Sequence, residues 1–167
     1  LYSFIKNWLT AENVKFKYTT VDIDPELKPD IVGDIRKIML KEKVDVILAF
    51  QVLEHIPFQD VRSVMKKIKE LCNYYVVMSI PHISIHLSLA FKFPKLPVKI
   101  LMCPTIDVAR ICQKSSYSRG HYWEVGTKEV SYKHFRDLLL DLGFKIEKEF
   151  RNPMHPYHHF FILRVRR

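Results

Sequence analysis

Glycine is scarce in this sequence: Gly33, Gly120, Gly126 and Gly143 are the four in 167 residues. No two of them form a G-x-G or a G-x-x-x-x-G-K arrangement, so the chain as given carries no glycine-rich phosphate-binding loop. Cysteine is as rare. Cys72, Cys103 and Cys112 are odd in number and form no C-x-x-C pair, which argues against a disulfide framework or a cysteine-based zinc site and points to a reducing, cytoplasmic setting. No apolar run approaches the ~20 residues that a membrane-spanning helix needs. No serine or cysteine nucleophile motif occurs either, so hydrolase and kinase readings have no support.

What is present is a core and a positive charge. Hydrophobic residues make up 48% of the chain, enough for one domain with a real interior. The formal charge of +9 and the pI near 9.5 favour an anionic partner such as nucleic acid, acidic lipid or a phosphorylated small molecule. The surplus is spread over 66–69, 92–99, 145–151 and 164–167, so a generally basic surface explains it as well as a polyanion site does.

The run Val44–Phe50 is short, apolar and rich in β-branched residues, and it predicts a central strand of a parallel sheet, buried on both faces. Ligands of open α/β sheets bind beyond the carboxyl ends of such strands, so the polar residues Gln51, Glu54 and His55 place a site near Gln51. Val61, Val64, Met65, Ile68, Leu71 and Cys72 recur at helical spacing, with Arg62, Lys66, Lys67 and Lys69 on the other face. A second buried strand is expected over 74–80, stopped by Pro81. Upstream, Tyr2, Ile5, Trp8 and Leu9 predict an amphipathic helix, residues 16–21 a strand ending at Asp22, and 29–35 a short extended piece closing at Gly33 and Asp34.

Downstream, Ser131 is a fair N-cap for a helix with Phe135, Leu138, Leu139 and Leu142 inward, and Gly143 suits its end. Strands over 144–150 and 157–165 follow, and the short turn between them makes them antiparallel. Alternation of strands and helices means β/α units. Residues 83–122 break that rhythm. This stretch is apolar at Ile85, Leu87, Leu89, Phe91 and Phe93 and carries Pro94, Pro97 and Pro104, which predicts one or two short helices forming a cap inserted in a single domain over 1–167.

Read in order, Val21-Asp22-Ile23-Asp24, Gly33-Asp34-Ile35, Asp45-Val46-Ile47 with Val52-Leu53-Glu54-His55, Ser79-Ile80-Pro81 and Leu142-Gly143-Phe144 resemble the class I S-adenosylmethionine-dependent methyltransferases. The likeness is to the small-molecule type with V-L-E-H after the fourth strand, and it covers most of the chain. It implies a Rossmann-like, doubly wound α/β fold whose mostly parallel, seven-stranded sheet ends in an antiparallel strand. It further implies S-adenosyl-L-methionine as cofactor and methyl transfer to a small-molecule acceptor. Under this resemblance Asp22 would accept the ribose hydroxyls and Asp34 the adenine amino group, with Ile23 and Ile35 against the ring and Phe50 and Gln51 near the methionine part. An Asx turn after a strand accounts for Asp22 equally simply. The family's first strand and its glycine-rich loop have no counterpart here. The expectation is that they lie upstream of this sequence; the other account is a degenerate relative that no longer binds the cofactor.

Three residues are candidates for the catalytic step: His55, His121 and Tyr122. Glu54 with His55 forms an acid–base pair by type, although such a pair also caps helices. His121 and Tyr122 belong to the polar and aromatic cluster 120–124, which serves either an acceptor or the anchoring of a loop. His121, His134, His155, His158 and His159 match no metal-ligand spacing, so no metal site is expected. The competing functional reading is a non-catalytic module of this fold that binds RNA or a protein partner through its basic surface.

Overall fold

The computed structural model describes residues 2–40, 42–86, 89–92, 99–102, 105–107, 120–152 and 155–165. The chain divides into two compact units, 1–39 and 40–167.

In the larger unit the sheet is built on β3 (Val44–Phe50), β4 (Cys72–Pro81), β9 (Phe144–Asn152) and β10 (His155–Val165), in the spatial order β3-β4-β10-β9. β3 and β4 are parallel, whereas β10 runs antiparallel to both its neighbours, as expected for the closing strands. Helix α2 (Phe58–Leu71) makes the crossover from β3 to β4. It forms where the sequence predicts it: Val61, Val64, Met65 and Ile68 all point into the core, Asp60 lies in its first turn and Lys69 in its last, the charge order that a helix dipole favours. Helix α3 (Tyr132–Asp141) precedes β9, and Ser131 caps it by accepting from the His134 amide at 3.1 Å.

The core lies along β4, whose buried Val76 and Met78 pair with Leu163 and Phe161 of β10; α2 packs against β4, and Phe135 of α3 packs against Phe161. Met78 to His82 are buried without a break, the pattern of a strand covered on both faces. Within this sheet β4 lies between β3 and β10. Along β3 Ala49 is buried whereas Asp45 and Val46 are exposed, so the start of this strand is not buried on both faces as expected.

In the described part of the expected helical cap over 83–122, residues 84–86, 89–92, 99–102 and 105–107 are strands rather than helix. Strands β5 (Ser84–His86) and β8 (Thr105–Asp107) pair antiparallel, and between them β6 (Leu89–Lys92) pairs antiparallel with β7 (Lys99–Met102), which makes a nested β-arm. The physical reason lies in Ile85, Phe91, Ile100 and Ile106, β-branched and aromatic residues that favour strands, with Pro94 and Pro97 in the connection, where a helix is costly. Leu87, Phe93, all three cap prolines, Cys103 and Cys112 fall outside the described residues.

The smaller unit holds helix α1 (Tyr2–Ala11) and a two-stranded parallel pair, β1 (Val21–Asp22) with β2 (Ile31–Val32). The strand expected over 16–21 is reduced to its end, because its partner has two residues between Asp30 and Gly33. Trp8, placed on the inner face of α1 by its spacing, is exposed. The architecture is mixed α/β and Rossmann-like, and among the described residues no helix is long and apolar enough to cross a membrane.

Candidate functional site

β3 ends in an irregular turn. Gln51 has a positive φ of 54°, a costly conformation for a side-chain-bearing residue. Its amide donates to Ser79 O at 3.0 Å and its Nε2 to Ser79 Oγ at 3.1 Å, so the turn is pinned to the end of β4. Phe50 packs its ring against Phe160 on β10.

A single 3-10 turn over Leu53–His55 follows. Leu53 and Ile56 anchor it in the core, and Glu54 between them is 0% exposed, with neither carboxylate oxygen hydrogen-bonded among the described residues. Burial pushes the Glu54 carboxyl up to about 7. Glu54 therefore does not cap α2, whose N-cap, Pro57, makes no side-chain bond.

The segment 120–127 closes over this turn through directional bonds. Tyr122 N donates to Glu54 O at 2.7 Å, and the buried Trp123 donates Nε1–H to Ile56 O at 2.9 Å while its ring packs on Phe58 and Phe135. His121 is thereby brought beside Glu54 and His55. Its Nδ1 is 2.8 Å from Glu124 Oε1, which also accepts from Tyr157 Oη at 2.8 Å. His55 Nδ1 lies 3.2 Å from Gly120 O, and its ring stands edge-on to that of His121 at 5.0 Å. Tyr122 projects outward, 53% exposed. Of the three catalytic candidates, the fold joins His55 and His121 to Glu54 and sets Tyr122 at the rim. Glu124 and Tyr157 orient His121; sequence reasoning placed Glu124 in the cluster 120–124 without this role and missed Tyr157, which no local spacing connects to it.

In the smaller unit, parallel pairing brings Asp22 and Asp34 to the same end of β1 and β2, with Gly33 N donating to Asp22 O at 2.8 Å. Asp22 Oδ1 accepts from the Asp24 amide at 2.9 Å, an Asx turn, and among the described residues Oδ2 has no partner. Asp34 is occupied. Its two oxygens accept from the Arg36 amide, Nε and Nη2 at 2.6 to 3.1 Å, and these bonds hold its carboxyl below the usual carboxylate range. Ile23 is 68% exposed and Ile35 half-buried.

No protein-family model matches the sequence, and none of the curated proteins is similar to it in sequence. Solved structures share its fold. An S-adenosylmethionine-dependent methyltransferase from Mesorhizobium loti superposes with a TM-score of 0.60 at 14% identity, over 96% of this chain and 85% of that one. The 1,6-didemethyltoxoflavin-N1-methyltransferase of Burkholderia thailandensis, crystallised with its substrate and S-adenosylhomocysteine, gives 0.54 at 13% identity over 88% and 60%. A pericyclic reaction enzyme gives 0.58 at 8% identity over 98% and 40%. The chain spans 50% and 45% of the length of two further matches. It has the class I methyltransferase fold, and that fold also carries other chemistry.

Proposed function

We propose that the protein transfers a methyl group from S-adenosyl-L-methionine to a small-molecule acceptor. The observation that carries this reading is the cluster of Glu54, His55 and His121 beyond the carboxyl end of β3, in a chain with the methyltransferase fold. When bound, the cofactor supplies an electrophilic methyl group on a sulfonium centre. Most of the rate then comes from holding the acceptor in line, with His55 or His121 receiving a proton at Nε2 where no metal ion holds that atom, and the exposed ring of Tyr122 offering the acceptor a surface. Asp22 fits the ribose through its open Oδ2, and the exposed Ile23 beside it offers an apolar face to the adenine. An adenine amino group at Asp34 would share that carboxylate with Arg36.

Calorimetric titration with S-adenosylmethionine tests the reading. Binding is expected, and Asp22→Ala is expected to weaken it by roughly 1.5 to 3 kcal/mol, the usual worth of hydrogen bonds to a charged group. A folded protein that takes up no S-adenosylmethionine would end the methyl-transfer reading, and unchanged affinity in Asp22→Ala would end the ribose assignment.

A further inference from the structure

We propose that Glu54, His55 and His121 form a binding site for a divalent transition-metal ion of the zinc type. One potential ligand atom from each lies within 4.8 Å of the other two. Three independent features give this triangle the character of a site.

The first is the carboxylate. Glu54 is fully buried and, among the described residues, both of its oxygens lack a hydrogen-bond donor, although buried carboxylates are ordinarily paired or bound to a metal. A cation among the three side chains supplies the missing partner. The second is the state of the two imidazoles. Gly120 O can only accept, so His55 Nδ1 carries the proton and Nε2 keeps its lone pair. Glu124, itself held by the Tyr157 hydroxyl, does the same for His121 Nδ1. A ring nitrogen held by a carbonyl or a carboxylate while the other faces the ion is the arrangement that orients metal-bound histidines. The third is the backbone. The Tyr122 N to Glu54 O bond and the Trp123 Nε1 to Ile56 O bond tie the two ligand-bearing segments together without using any ligand atom.

Two imidazoles and one carboxylate form a donor set that suits zinc and its neighbours and is poor for magnesium or calcium, which take oxygen ligands. Ligand atoms on a tetrahedral ion with bonds of about 2.0 to 2.1 Å stand about 3.3 Å apart, so closing the triangle needs a modest rotation. His55, the exposed member, can make it. Three protein ligands would leave a coordination position for water or another ligand, as catalytic zinc sites do.

The test is calorimetric titration of Zn(II) alone into chelator-treated protein, with no S-adenosylmethionine present and Mg(II) run in parallel. One Zn(II) per chain is expected, weakened at least about tenfold by Glu54→Gln and by His55→Ala, with no comparable binding of Mg(II). His55 is exposed, so its replacement serves even where Glu54→Gln fails to fold. No Zn(II) binding, Zn(II) binding that the variants retain, or preference for Mg(II) would each overturn the site. Because the probe is the metal alone, none of these outcomes depends on the methyl-transfer reading.

Discussion

At position 126 a methyl group has nowhere to go. Gly126 has φ +87°, and an added Cβ would stand 2.2 Å from Ile83 O and 2.9 Å from His82 Cδ2. The close approach follows from backbone bonds, since Val125 N donates to Pro81 O and Ile83 N to Val125 O, stitching segment 120–127 to the end of β4. Gly126→Ala is expected to cost at least about 1 to 3 kcal/mol, from the conformation alone, and to lower the urea midpoint. Gly33→Ala is the control. Its Cβ would meet nothing within 4 Å, so its midpoint should barely move, and equal effects from the two variants would contradict this account. The same stitching positions His121, which is why a glycine outside the chemistry bears on the site.

Among the elements, α3 is held at its start by one side chain. Ser131 Oγ satisfies the His134 amide, one of the donors that the first turn leaves without an intrahelical partner, and Phe135, Leu138 and Leu139 bury the helix behind it. Ser131→Ala should therefore cost about 0.5 to 2 kcal/mol, read as a lower thermal midpoint with the fold retained. No change would mean that the amide finds another acceptor. Both α2 and α3 were legible because their apolar residues recur with helical period and their ends carry local signals. The β-arm was not. Its residues alternate weakly and its prolines mark interruption without naming the structure they interrupt, so only the register of Leu89↔Met102 and Ser84↔Asp107 distinguishes a hairpin from a broken helix.

For the molecule as a whole, the buried histidines set a pH limit. His159 on β10 stacks on His82 and on Tyr132, with His82 Nδ1 and His159 Nδ1 3.0 Å apart and Glu149 and Arg151 lining the same cleft. Burial first, then the charges of His82 and Arg151, push its pKa down to about 3, well below an ordinary histidine. The unfolded chain takes up a proton near pH 6.5 that the folded chain refuses, so the stability due to neutral His159 is complete above that pH and drains away as the pH falls toward about 3. Glu54, raised to about 7, works the other way over part of this range, because the folded chain holds a proton there that the unfolded chain loses, so the test is the difference between wild type and His159→Gln rather than the wild-type profile alone. In urea unfolding at steps from pH 8 to pH 4 that difference should shrink as the pH falls below 6.5, and a difference that stays constant across the range would contradict the assignment.

The sequence by itself determined the mixed α/β class, helices α2 and α3, strand β4 and the antiparallel closing pair, because each depends on a local periodicity or a local cap. It also suggested a candidate site at the end of β3, since the change from Val44–Phe50 to Gln51, Glu54 and His55 is visible in the chain. Only the tertiary structure decided that β4 lies between β3 and β10, because the neighbours of a strand are not encoded in its own residues. It alone decided that Glu54 is buried without a partner among the described residues and that His121 joins it. Gly120 and His55 are 65 positions apart, and what brings them together is a set of backbone and indole hydrogen bonds that no spacing in the sequence announces.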